Sequence, residues 1–127
     1  MKPALQKRLL DAQKAAETAF GFCQGKTLDQ YRKDELLRSG VERQLEILGE
    51  ALNRALADEP TLEQRIPEAR RIVGIRNRII HGYDSVDDEI IWDVVSSKLR
   101  PLAETLKKVW FVYIYVCIFA YTKAVET

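Results

Sequence analysis

Leu37-Arg-Ser-Gly-Val-Glu-Arg-Gln-Leu-Glu-Ile-Leu-Gly-Glu-Ala-Leu-Asn-Arg-Ala-Leu56 is the stretch that decides the fold. Leu37, Val41, Leu45, Leu48, Leu52 and Leu56 recur at steps of three and four. That spacing puts them on one face of a helix about six turns long. Glu42, Arg43, Glu46, Glu50 and Arg54 fall on the opposite, solvated face. Gly49 sits inside the pattern, where it costs ~1 kcal/mol relative to alanine. Such a glycine is expected to let another helix approach closely.

The same periodicity extends in both directions. Upstream, Leu5, Leu9, Ala12, Ala16, Ala19 and Phe20 mark a helix from about residue 4 to 23. Thr27 opens a new segment, with Asp29 and Gln30 where first-turn polar groups are favoured. Downstream, a third helix is expected to begin at Pro67, since proline is tolerated at the first helical position. Its apolar stripe is Ala69, Ile72, Val73, Ile79 and Ile80, with Arg76 near the middle. An arginine there is costly unless it is paired or faces a crevice. A fourth helix starts near Asp87, a favoured N-cap, with Val86 and Ile91 at staple positions. Ile91, Val95, Leu99, Leu102 and Leu106 form its stripe, and Pro101 is expected to kink it. Four helices with short connections predict an all-α fold, an antiparallel four-helix bundle.

The 127 residues suit one domain. Residues 1–108 are read as a helical domain and 109–127 as an apolar, aromatic C-terminal extension. Hydrophobic residues make up 46% and charged residues 31%, as in a soluble helical protein. Twenty basic and nineteen acidic residues nearly cancel, so net charge alone gives no reason to expect nucleic acid. Cys23 and Cys117 lie far apart and have no neighbours at metal-ligand spacing. No metal and no cofactor is expected, and both thiols are read as free in a reducing cytoplasm. The N-terminus lacks the apolar segment of a signal peptide. Val109 to Tyr121 is continuously apolar and aromatic. Thirteen residues fall short of the about 20 needed to span a bilayer. The segment is therefore read as part of a subunit interface, with no membrane partner.

Chemistry concentrates in Arg76-Asn-Arg-Ile-Ile-His-Gly-Tyr83, which holds the only histidine. At about 100° per residue, Arg76 and His81 point about 140° apart on a straight helix. Both can act on one atom only if the helix ends before His81 or a second chain supplies one of them. A lone histidine at a helix C-terminus also has a plainer role, interacting favourably with the dipole. Arg70, Arg71 and Arg78 make this helix basic and are candidate RNA-binding residues.

Arg76-x-x-x-x-His81-x-Tyr83 resembles the R-x4-H-x-Y motif of the HepT toxins of the HEPN superfamily. Arg43 to Ala51 is similar to that family's second-helix segment, and Ile72 to Tyr83 to its third. Val86-Asp87 with Ile91-Trp92 is similar to its fourth. The likeness covers roughly residues 4 to 108 and implies a HEPN-like bundle that dimerises, bringing two motifs into one cleft. It implies a metal-independent endoribonuclease, the toxin of a toxin–antitoxin pair. The implied partner is a MntA-type minimal nucleotidyltransferase antitoxin, which attaches AMP to the motif tyrosine, here Tyr83. Within that reading His81 is the base, Arg76 stabilises the phosphate, and Asn77 orients the histidine or the substrate. Imidazoles titrate near neutrality and guanidinium matches phosphate, so the residue types suit those roles. The competing expectation is a non-catalytic module of the same fold that binds nucleic acid or nucleotide, or acts as an adaptor.

Overall fold

A computed structural model of the chain describes residues 2–126 except Tyr83 and Ser85, with all their side chains but those of Tyr113 and Cys117. The expectation for Tyr83 therefore lies outside the described residues. The fold is all-α. Pro3 occupies the first turn of α1 (Pro3–Cys23), where its missing N–H has no helical partner to lose. α2 (Leu28–Lys33) starts in a complete capping box: Thr27 Oγ1 accepts from Gln30 N–H, and Gln30 Oε1 accepts from Thr27 N–H. α3 (Glu35–Asp58) begins at Asp34, whose carboxylate accepts from Leu37 N–H at 3.0 Å. A single turn, α4 (Leu62–Arg65), leads to α5 (Ala69–His81). The last arm comprises α6 (Asp88–Asp93), a π-helical turn (Val94–Lys98) and α7 (Leu99–Glu126).

The four long arms form the expected bundle. α1 packs between α3 and α7, and α3 packs between α1 and α5. The stripe read from α3 lies at the centre: Val41, Leu45, Leu48 and Leu52 are fully buried. Leu9, Ala12, Ala16 and Ala19 meet it from α1, and Ile72 from α5. Ile91, Val95, Leu99, Leu102 and Leu106 are all buried, as their spacing predicts. Asp87 caps α6, accepting from Glu89 N–H at 2.8 Å. The joint expected at Pro101 lies one turn earlier. Proline cannot donate to the preceding turn, and the π-helical turn, closed by Leu99 N–H to Val94 C=O, stands immediately before it.

Two local expectations are corrected. Pro67 lies in a turn, and α5 starts at Ala69, whose N–H bonds Ile66 C=O at 3.0 Å. Ile75 takes the buried place on α5 that the pattern gives to Ile80, which is 41% exposed.

The C-terminal segment continues α7 as helix. Val109 is buried, and Trp110 Nε1 donates to Gln13 Oε1 on α1. Beyond it Phe111, Tyr115, Ile118, Phe119 and Tyr121 are each more than half exposed. The continuous helical arm is longer than the apolar run alone and, by length and composition, is long enough to cross a membrane. Burial pushes the Cys23 thiol up to about 11, so at neutral pH it is a protonated core side chain.

Candidate active site

Arg76 leaves α5 at the point where that helix crosses Gly49 of α3. A Cβ on Gly49 would lie 2.3 Å from Arg76 Cβ and 2.8 Å from its Cγ. The glycine thus admits the arginine stem between two helices. This confirms the close approach expected of Gly49 and explains how a cation sits in an apolar stripe. The guanidinium is both paired and in a crevice. Nη2 donates to Glu50 Oε2 at 2.8 Å, and Nη1 donates to Asn77 Oδ1 at 2.8 Å. Nε is buried and has no acceptor. Glu50 Oε1 in turn accepts from Arg54 Nε at 2.6 Å. That hydrogen bond, joined by the nearby arginine charges, holds the Glu50 carboxyl below the ordinary carboxylate range despite slight desolvation.

Arg76 and Ile80 form one wall of an open groove of about 680 Å³ between α1 and α3. Its other cations are Lys7, Arg8, Lys14, Arg43 and Arg54, against Asp11, Glu46 and Glu50. Several are tied down locally: Lys7 to Asp11 at 2.8 Å, Arg43 to Glu46 at 3.1 Å, Arg8 to Asp58 at 3.6 Å. Exposed pairs of this kind are worth ~0–1 kcal/mol, so a phosphate competes for them easily. Lys14 is exposed and has no ion pair among the described residues.

His81 is the last residue of α5 and is exposed. It does not line the groove that holds Arg76. Gly82 follows as the C-cap, its N–H on Arg78 C=O at 2.9 Å, with φ −140°. The helix therefore stops without the left-handed turn that glycine often supplies. Because α5 is helical through His81, Arg76 and His81 keep their separation of about 140° around the axis. One chain does not converge the two side chains on a single atom. Asn77 turns its oxygen toward Arg76, so its visible role is on the cation.

The basic candidates on α5 differ in availability. Arg70 bonds Glu63 at 3.0 Å, and Arg71 reaches Asp93 at 3.5 Å. Arg78 is exposed and makes no ion pair among the described residues, beside a small hollow with Ile75, Asp87 and Ile90. Among the described residues no cluster of His, Cys, Asp and Glu is arranged to hold a metal ion.

Glu50 is the site residue that sequence reasoning missed. It stands 26 positions from Arg76. Its place on the solvated face and its i,i+4 spacing to Arg54 read as an ordinary surface pair.

Comparison with known proteins agrees with the family resemblance. The family described as "Ribonuclease HepT-like" matches residues 12–109, which include α3, α5 and every residue of the groove except Ala4, Lys7, Arg8 and Asp11 of α1. A protein named "Probable ribonuclease HepT" from Thermococcus cleftensis is 29% identical over 108 residues, 85% of this chain and 97% of its own length. "Putative RNase MJ0127" from Methanocaldococcus jannaschii is 29% identical over 92 residues, 69% of this chain and 75% of its own. No solved structure gives a significant match. The arginine seated on Gly49, the histidine one turn on, and a family match that spans most of the chain lead to one assignment: the chain belongs to the ribonuclease HepT-like family of the HEPN superfamily.

Proposed function

We propose that this chain is the toxin of a toxin–antitoxin pair, a metal-independent endoribonuclease whose active site is shared between two copies of the chain. Membership of a ribonuclease family supports RNA as the substrate. The observation that carries the composite site is the divergence of Arg76 and His81 on one continuous helix. A second copy places its own motif opposite and supplies what one chain cannot.

In this reading the His81 imidazole removes the ribose 2′-hydroxyl proton. The 2′-oxygen attacks phosphorus, and Arg76 neutralises the charge that develops on the phosphorane. The second copy's histidine, entering protonated, donates to the departing 5′-oxygen. The products are a 2′,3′-cyclic phosphate and a free 5′-hydroxyl, and the two imidazoles have exchanged protonation states. Asn77 keeps Arg76 oriented. A MntA-type nucleotidyltransferase acts as the antitoxin by attaching AMP to Tyr83, two residues beyond His81. The added phosphate pairs with the cationic site and excludes RNA.

Purified protein, with chelator present, is expected to cleave RNA. Arg76→Ala and His81→Ala are each expected to lower the rate by about 10²-fold or more, from the usual worth of a positioned acid–base group or oxyanion donor. Cleavage that persists in both folded variants rejects the assignment. Co-expression with the nucleotidyltransferase, followed by intact-mass measurement of wild-type and Tyr83→Phe chains, tests the modification.

A further inference from the structure

We infer that Glu50 is a positioning residue for Arg76, fixing the guanidinium in the α1/α3 groove so that it meets a phosphodiester already oriented. The inference rests on the ribonuclease reading for its substrate, and on the geometry around Arg76 for the rest.

The arginine stem is seated first, because Arg76 Cβ and Cγ pack into the space that a Cβ on Gly49 would fill. That fixes where the guanidinium lies but not how it is turned. Rotation is settled by two acceptors on the two terminal nitrogens, Glu50 at 2.8 Å and Asn77 at 2.8 Å. Asn77 is the adjacent residue on the same helix, whereas Glu50 reaches across from α3. Glu50 is itself held, since its other oxygen is taken by Arg54 at 2.6 Å. A guanidinium has five N–H donors. Two hydrogen bonds leave each terminal nitrogen a further N–H for a phosphate oxygen.

Charge separates positioning from blocking. Arg54, Glu50 and Arg76 together carry one net positive charge, so an incoming phosphate still meets a cationic site. A donor fixed before substrate arrives stabilises developing charge without reorganising during the reaction. It also spares the rotamer entropy that a free arginine loses on binding.

Glu50 is partly exposed on a long helix, so its variants should fold. Removing its charge raises the positive charge of the site by one. A positioning role therefore predicts a split: Glu50→Ala lowers kcat at least tenfold while KM for RNA stays the same or falls. Glu50→Gln, which keeps a carbonyl oxygen for Arg76, should recover part of the lost kcat. Side-chain NMR of 15N-arginine-labelled protein gives a readout that needs no activity. Arg76 should show slow, hindered rotation of its terminal nitrogens in the wild type and free rotation in Glu50→Ala. Unchanged or raised kcat in Glu50→Ala, or a rise in KM alone, overturns the inference, as does an Arg76 signal indifferent to the substitution. If the wild-type chain cleaves no RNA, the ribonuclease reading fails by itself, and the NMR comparison still decides whether Glu50 fixes Arg76.

Discussion

Gly49 and Arg76 share one contact point between α3 and α5, and only a residue without a Cβ leaves room for the arginine stem. A Cβ there would lie 2.3 Å from Arg76 Cβ and 3.3 Å from the backbone oxygen of Ile72. The obstacle is the root of a side chain and a helix backbone, neither of which swings away cheaply. Gly49→Ala gains ~1 kcal/mol of helix propensity and loses more to overpacking, which costs about 1–3 kcal/mol. The expected net result is a loss of up to about 2 kcal/mol in urea unfolding, with cleavage reduced further than that loss explains because Arg76 is displaced. A Gly49→Ala protein as stable and active as wild type would show that α5 has slack here.

Arg76→Lys should fail to rescue Arg76→Ala. A lysine ammonium is a compact point charge and cannot serve Glu50, Asn77 and a phosphate in one plane. Single-turnover rates on a short RNA decide this, and a lysine variant within tenfold of wild type counts against a guanidinium-specific role.

Arg78 and Arg70 should separate in RNA binding. Arg70 is engaged with Glu63, while Arg78 is exposed and unpaired among the described residues. In a His81→Ala background that cannot cleave, Arg78→Ala is expected to weaken binding and to lower the slope of log K against log salt by about 0.7, the value for one contact to a single strand. Arg70→Ala should do less of both in fluorescence anisotropy titrations. Equal effects would mean that exposure does not select the contact.

Glu42 offers a pH test of the core's polar edge. Desolvation, then the Asp88 charge, raises its carboxyl above the ordinary value, with Glu46 adding to the rise and Arg38 opposing it. A group that binds its proton more tightly when folded contributes stability in full below its unfolded pKa. That contribution is lost as pH rises through the folded pKa. Glu42→Gln removes a partly buried charge, so its gain in Tm should be largest where the carboxylate is ionised and should shrink as pH falls toward about 4. A gain that is constant with pH would point to packing instead.

Truncation after Phe111 should leave the bundle folded. The last described side chains of α7 packed on the core are Val109 and Trp110, the latter bonded to Gln13 of α1. The apolar side chains beyond them, such as Tyr115 and Phe119, face solvent in the single chain. Light scattering is expected to show a smaller assembly at little change in Tm. An unchanged mass rules against a subunit interface in this segment, and recovery of the full-length chain with membranes would assign its exposed side chains to lipid.

Sequence by itself determined the helices and their inward faces. The spacing of Leu37 to Leu56 matches the helical period, and Thr27 and Asp87 cap the helices that follow them. Such signals are local, written within a few residues of where they act. The motif from Arg76 to Tyr83, and the family it belongs to, were legible for the same reason. The sequence also posed the problem of a charge within an apolar stripe and named Gly49 as a point of close approach.

Only tertiary structure decided how these features meet. It put Gly49 beneath Arg76, gave Arg76 to Glu50, and turned Arg76 into a groove that His81 does not share. Residues 26 positions apart carry no periodic trace of each other. Their pairing depends on the crossing of α3 and α5, which the packing of the whole core fixes.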